Sequence, residues 1–294
     1  MKKARMTICL AVVCVMAAVN FASAEIIRGI NIDFVNIGNA GNAGDTRTGL
    51  DEDRLPLANP YGCGAVSSNY RIGKYEVTAA QWQTINTAAG IGDSGTWSGN
   101  QPVADISWYE AAQFCNYLTS GNKYSGAYKF DLSGNFQVID RASSISTYGT
   151  TYVIPTEDEW YKAAYFKPNA SGYSLYANGT NTAPGAASQS NYNYVIGAPW
   201  DIITNGTQEQ NGTFDMMGNV FEWNETLLFG VFRGWRGGSY YSTDAGLALR
   251  SSNRNGDYPR WEHFTVGFRV ASVPEPATLF LLGLGAVMLR RKRD

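Results

Sequence analysis

The stretch NGTFDMMGNVFEW, Asn211 to Trp223, decides how the rest of the chain is read. Its second glycine, Gly218, marks a turn, and the indole of Trp223 is large enough to anchor a core. Between them the Asn219 side chain, the Val220 carbonyl and the Glu222 carboxylate offer three hard oxygen ligands within four residues. Calcium takes six to eight such ligands and tolerates irregular loops. A glycine turn followed by a solvated glutamate explains the same residues, and the sequence alone leaves both readings open.

Downstream lies RGGSYYSTDAGLALRSSNRN, Arg236 to Asn255. Arg236, Ser239, Tyr240, Ser242, Arg250 and Arg254 make a candidate ligand pocket, but the segment holds no cysteine or histidine and one carboxylate, Asp244. Arg236, Arg254 and Arg269 could bridge loops through their guanidinium forks or face a ligand carboxylate. The neighbouring pieces VFRGWRGGSYYS, LALRSSNR and FTVGFRVAS read as short strands.

Upstream, TAAQ from Thr78, SWYE from Ser107 and TEDE from Thr156 each place a hydroxyl three residues before Glu or Gln. That is a capping box, so three helices are predicted to start there. Trp108, Ala111, Ala112, Cys115 and Leu118 then form a core-facing stripe. Trp82 and Ile85, and Trp160, Ala163 and Ala164, serve the other two helices. Glu157, Asp158 and Glu159 fit a first helical turn, where negative charge suits the dipole. From 168 to 213 the chain is turn chemistry without periodicity. So long an irregular stretch needs something to pin it, a metal or tight packing. Residues 25–69 alternate short strand-like pieces with Gly/Asn turns.

The two ends read as targeting segments. MKKARMTICLAVVCVMAAVNFASAEI has a basic start, an apolar run and Ala22-Ser23-Ala24, the layout of a leader cleaved after Ala24. An uncleaved anchor is the alternative. At the other end Pro274-Glu275-Pro276 precedes thirteen apolar residues, Ala277 to Leu289, and a basic cluster, Arg290 to Arg293. As a helix the run covers about 20 Å, short of the ~30 Å hydrocarbon core, which suits a transient or processed anchor. The predicted divisions are 1–24, 25–271 and 272–294.

The chain carries 23 basic and 25 acidic residues; without leader and tail, residues 25–273 keep 16 and 23, a net charge of −7. An acidic body excludes a nucleic-acid partner on electrostatic grounds. Charged residues are only 16% and aromatics 13%, with 32 glycines, which suits an exported, loop-rich domain. Only Cys63 and Cys115 lie outside the leader, and the sequence leaves open whether they pair.

Taken in order, YRIGKYEVTAAQW, PVADISWYEAAQFCNYL, YVIPTEDEWYKAAYF, NGTFDMMGNVFEW, RGGSYYS, RSSNR and VGFRVAS resemble the formylglycine-generating enzyme, or sulfatase-modifying factor, family. The resemblance runs from about Tyr70 to Ala271. It implies an α+β fold, the irregular C-type-lectin-like variant with few helices, a small twisted sheet and many loops. It implies a structural Ca²⁺ at Asn219, Val220 and Glu222, and a weaker second site using Asn191 and Asp201. The family oxidises a substrate cysteine with copper(I) held by two thiolates. Those positions fall here near Ser242 and Leu247, and neither a hydroxyl nor a leucine suits copper(I). The tail resembles the PEP-CTERM sorting signal, which implies an exosortase-like processing protease, export to the cell surface, and membrane contact only through that segment.

The single histidine, His263, cannot supply a two-histidine iron triad or a three-histidine zinc site. A Ser/His/Asp set with Ser242 or Ser251 lacks any nucleophile-elbow sequence. Two readings follow. One is an exported, surface-sorted, non-catalytic module binding glycan, peptide or extracellular polysaccharide. The alternative is an exported oxidoreductase or protein-modifying enzyme with rearranged chemistry, drawing on Cys63.

Overall fold

A computed structural model of the chain describes residues 23–48, 62–202, 206–244 and 246–273. The leader lies outside them except for its last two residues, and so does the tail beyond Val273. Eleven strands and four α-helices make up the described part. An antiparallel five-stranded sheet runs β1 (Ser23–Ile27), β2 (Ile30–Ile37), β3 (Tyr70–Gly73), β11 (Ala271–Val273) and β6 (Thr151–Val153). A second sheet runs β10 (Val266–Gly267), β7 (Phe221–Leu228), β8 (Phe232–Arg236) and β9 (Asn255–Asp257), with β10 parallel to β7. A third is the hairpin of β4 (Tyr128–Phe130) and β5 (Phe136–Ile139).

All three predicted capping boxes are present. α1 (Ala79–Ala89), α2 (Trp108–Ser120) and α4 (Glu157–Tyr165) start at Thr78, Ser107 and Thr156, each hydroxyl accepting from the backbone three residues on. Ser107→Ala is expected to cost about 1 kcal/mol, since it strands a helix-end donor. A urea denaturation curve would show it, and an unchanged midpoint would remove the cap from the account.

The helices turn their predicted stripes inward. Trp82 stacks on Phe114 at 5.6 Å, and Phe268 meets both edge-on. Trp82, Trp108, Trp160 and Trp223 are fully buried. Cys115 is buried on its stripe and unpaired, as is Cys63.

The sequence reading needs two corrections, at Arg141–Tyr148 and at the piece LALRSSNR. The helix α3 (Arg141–Tyr148) was not foreseen, because RASSISTY carries no apolar stripe. It is held by its Asp140 cap and by Arg141, which binds Glu159 at 2.8 Å and Glu225 at 3.0 Å. The piece LALRSSNR is not a strand: Leu247–Leu249 form a 3₁₀ turn that follows Gly246. Both expected boundaries fall inside strands. Ser23 and Ala24 pair with Phe34 and Asp33 in β1–β2, and Ser272 and Val273 pair with Tyr152 and Thr151.

The irregular stretch after α4 is pinned by side chains. The Asn211 amide donates to the Phe166 and Ala163 carbonyls at 2.7 and 3.0 Å, covering the open end of α4. Gln210 reaches the Ala164 carbonyl at 2.8 Å. These bonds satisfy backbone acceptors that a helix end leaves orphaned.

Candidate functional site

β8 ends at Arg236, and the chain then turns through Gly237 and Gly238 at φ 99° and 76°. A Cβ on Gly238 would come within 2.5 Å of Leu249, so this turn must be glycine. The turn sends Arg236 inward. Its guanidinium donates to Glu157 at 2.7 Å and to the Ser251 and Asn253 carbonyls at 3.1 and 2.6 Å. Arg254 closes on the other Glu157 oxygen. Two arginines therefore clamp one carboxylate at the start of α4, where the helix dipole also favours negative charge.

The six expected pocket residues thus do not form an open pocket floor. Arg236, Ser239, Tyr240 and Arg250 are buried. Ser242 accepts from the Ser239 amide through its hydroxyl and from the Asn193 amide through its carbonyl. A cavity of about 730 Å³ lies elsewhere, between the Asn39–Arg47 loop and residues 166–173, and none of the six lines it.

Cys63 packs against this clamp, with Arg236 Nη2 3.8 Å from its sulfur. Burial and the neighbouring Glu157 charge push its thiol up to about 11, against the opposing pull of Arg236. At neutral pH it is a thiol, a weak nucleophile and a poor metal ligand.

The segment 219–222 is engaged differently from a calcium site. Glu222 is fully buried and accepts from Trp160 Nε1 at 2.7 Å and Arg269 Nε at 2.6 Å. Its second oxygen pairs with Arg269 Nη2. The Asn219 side-chain oxygen accepts from the Trp200 backbone amide and the Asn191 side chain, and its side-chain amide donates to Glu76 at 2.6 Å. As arranged, the trio does not fit Ca²⁺, because its only carboxylate is taken and a cation there would face the Arg269 charge. At the second pair the Asn191 side-chain oxygen is buried with no hydrogen-bond partner among the described residues. Asn191 spends its amide on the Ala198 carbonyl and on Asn219, and Asp201 is half-buried.

Sequence reasoning missed what surrounds Arg269. Glu76, Glu209 and Asp215 are all buried near it. Burial pushes Glu209 up to about 8. Burial and the mutual repulsion of nearby carboxylates raise Glu76 well above the usual range, and burial raises Asp215 too. A glutamate inside the apolar run YEV was the one signal available for Glu76.

On the outer side of the same turn lies a run of aromatic rings. Trp97 meets Tyr240 edge-on at 5.9 Å, and Tyr240 stacks with Tyr194 at 6.3 Å. Tyr194 contacts Tyr241 at 5.1 Å, Tyr241 contacts Phe264 at 5.5 Å, and Phe264 stacks on His263 at 5.0 Å. Tyr194, Tyr241 and Phe264 are about half exposed, at 51, 52 and 45%. His263, at the end of this strip, bonds Thr265 through Nδ1 at 2.9 Å.

Residues 40–273 match the model of the sulfatase-modifying factor enzyme 1-like domain. The chain belongs to that family. Its fold is the family's irregular C-type-lectin-like α+β fold, shared with three solved structures. Treponema denticola variable protein 1 superposes with a TM-score of 0.61 at 22% identity, covering 86% of this chain and 99% of that one. CarF gives 0.58 at 23%, covering 83% and 99%. PvdO from Pseudomonas aeruginosa gives 0.56 at 18%, covering 82% and 94%. A curated relative, the chaperone protein LppX of Paenibacillus barcinonensis, is 28% identical over 182 residues. That alignment takes in 53% of this chain and 61% of the relative's length.

Residues 272–293 match the PEP-CTERM protein-sorting motif, which implies export and exosortase-dependent processing of this sulfatase-modifying factor-like protein. Among the described residues no helix is long and apolar enough to cross a membrane. The apolar run 277–289 lies outside them. Where the resemblance places the copper-binding thiolates, Ser242 turns back on Ser239 and Leu247 is 40% exposed in the 3₁₀ turn.

Proposed function

We propose that this family member is a surface-sorted, non-catalytic binding module whose aromatic strip takes extracellular polysaccharide. The observation that carries the reading is the continuous strip Trp97–Tyr240–Tyr194–Tyr241–Phe264–His263, in which Tyr240 is buried and holds the strip while Tyr194, Tyr241 and Phe264 are about half exposed. Aromatic rings offer an apolar face for the C–H side of a sugar ring and, in tyrosine, a hydroxyl for its polar edge. Ser242, Thr243 and Asp244 supply further polar groups beside it. The Paenibacillus relative is named a chaperone, which accords with binding.

The alternative, an exported protein-modifying oxidase, would draw on Cys63. That thiol is buried, held protonated and enclosed by Arg236 and Glu157, so the geometry gives this reading no support.

A glycan array tests the proposal. The native protein should retain a polysaccharide that Tyr241→Ala binds at least about tenfold more weakly, since central exposed aromatics dominate binding energies. No retained glycan, with formylglycine formed from a cysteine peptide in the presence of copper(I), would replace it with the oxidase reading.

A further inference from the structure

A cleft of about 530 Å³ lies between α1 and the loop that follows it, and Trp97 is the one strip residue among those lining it. Its size is that of a small-molecule site. Both ends of the loop are tied to the helix. At one end the Asn86 side-chain oxygen accepts from the Ile91 and Gly92 amides at 2.7 and 3.0 Å. At the other, the Ala80 and Ala79 amides donate to the Gly99 and Gln101 carbonyls at 3.0 and 2.9 Å. The Gly95 amide donates to the Ala104 carbonyl at 2.9 Å and holds the middle of the loop. The two walls are therefore set before a ligand arrives, which keeps the ordering cost of binding low.

The lining combines one aromatic ring with small polar groups. Trp97 is the aromatic wall, and it meets Tyr240 edge-on at 5.9 Å, so the cleft adjoins the Trp97 end of the strip. Gln83, Asn86, Asp93, Ser94 and Ser98 supply the polar groups. Asn86 spends its oxygen on the loop, which leaves its side-chain N–H groups to donate. Gln83 spends an N–H on the Thr87 hydroxyl at 3.2 Å, which leaves its oxygen to accept. Asp93 is exposed and is the sole charged group among the lining residues. An indole with donors and acceptors around it suits a sugar ring, which is apolar on its C–H side and carries hydroxyls at its edge. A carboxylate with no lysine or arginine beside it accepts from those hydroxyls and repels a uronate or a sulfate.

We propose that this cleft is a further sugar subsite, joined to the strip through Trp97, and that it selects an uncharged polysaccharide over an acidic one. The inference rests on glycan binding by the strip and narrows its ligand class.

The test uses the full chain and titration calorimetry. The probes are cello-, chitin- and manno-oligosaccharides, each in its uncharged form and with its primary alcohols oxidised to carboxylates. An uncharged form is expected to bind at least about tenfold more tightly than its oxidised counterpart, and Asp93→Lys should narrow or reverse that preference. Gln83→Trp fills the cleft from an exposed position on α1 and should weaken the uncharged ligand at least about tenfold. Both positions are exposed, so both variants should melt with the native protein. Weakening by Tyr241→Ala with none by Gln83→Trp overturns the subsite and leaves the strip reading standing. Oxidised forms that bind as tightly as the uncharged ones overturn the charge selection, and a preference that Asp93→Lys leaves unchanged removes the cleft as its source. No binding of any probe overturns both the subsite and the strip reading.

Discussion

Arg269→Leu is expected to lower the melting temperature by roughly 6–20 °C, the largest effect of any single substitution considered. Arg269 and Glu222 are both fully buried, and every donor of the guanidinium is used: on Glu222, on the Gly73 carbonyl at 3.0 Å and on the Phe214 carbonyl at 2.9 Å. Removing one partner of such a pair leaves an uncompensated buried charge, at a cost of about 3–5 kcal/mol. For a domain of this size each kcal/mol corresponds to about 2–4 °C. The double variant Arg269→Leu/Glu222→Gln should recover part of the loss, since it removes the stranded charge along with its partner. Thermal melts of both proteins check this, and a shift below about 3 °C for the single variant would show that the pair is not central.

Stability is expected to peak near pH 4–5, about the unfolded carboxylate value, and to fall toward pH 8. Glutamate in an unfolded chain titrates near 4.3, whereas burial holds Glu209 near 8 in the fold. Below the unfolded value both states are protonated and nothing is lost. As pH rises toward 8 the unfolded chain has released a proton that the folded chain keeps, so stability declines by about 1.4 kcal/mol per pH unit for each such proton. Glu76 and Asp215 are raised in the same direction. The acid limb comes from Glu159: burial opposes its ionisation, but Arg141 outweighs burial and holds its pKa below the usual value. Its contribution is lost as pH falls through that lowered value. Urea denaturation between pH 4 and 9 measures the profile. Glu209→Gln should flatten the alkaline limb, because an amide oxygen can still accept from Thr213 and the Met216 amide without titrating. A slope above pH 6 unchanged by that substitution would locate the titration elsewhere.

These results separate what was legible from what was not. Capping boxes were legible because a hydroxyl and a Glu or Gln three residues on interact within one helical turn. α3 was not, since its stability comes from Arg141 reaching Glu159 and Glu225, and no apolar period marks that. Glu222 was read as a metal ligand because the sequence shows its oxygens and not the arginine that fills them, 47 positions downstream.

The sequence by itself determined the family frame, the three capped helices, the buried tryptophans and the sorting tail, because each is written in residues close together along the chain. Only the tertiary structure decided the chemistry of the site. It brought Glu76 to Asn219 across 143 positions, closed two arginines on Glu157, and lined up rings from residues 97, 194, 240, 241, 263 and 264. Those contacts depend on how the two sheets and the long irregular stretch pack together, and no local period in the sequence carries that information.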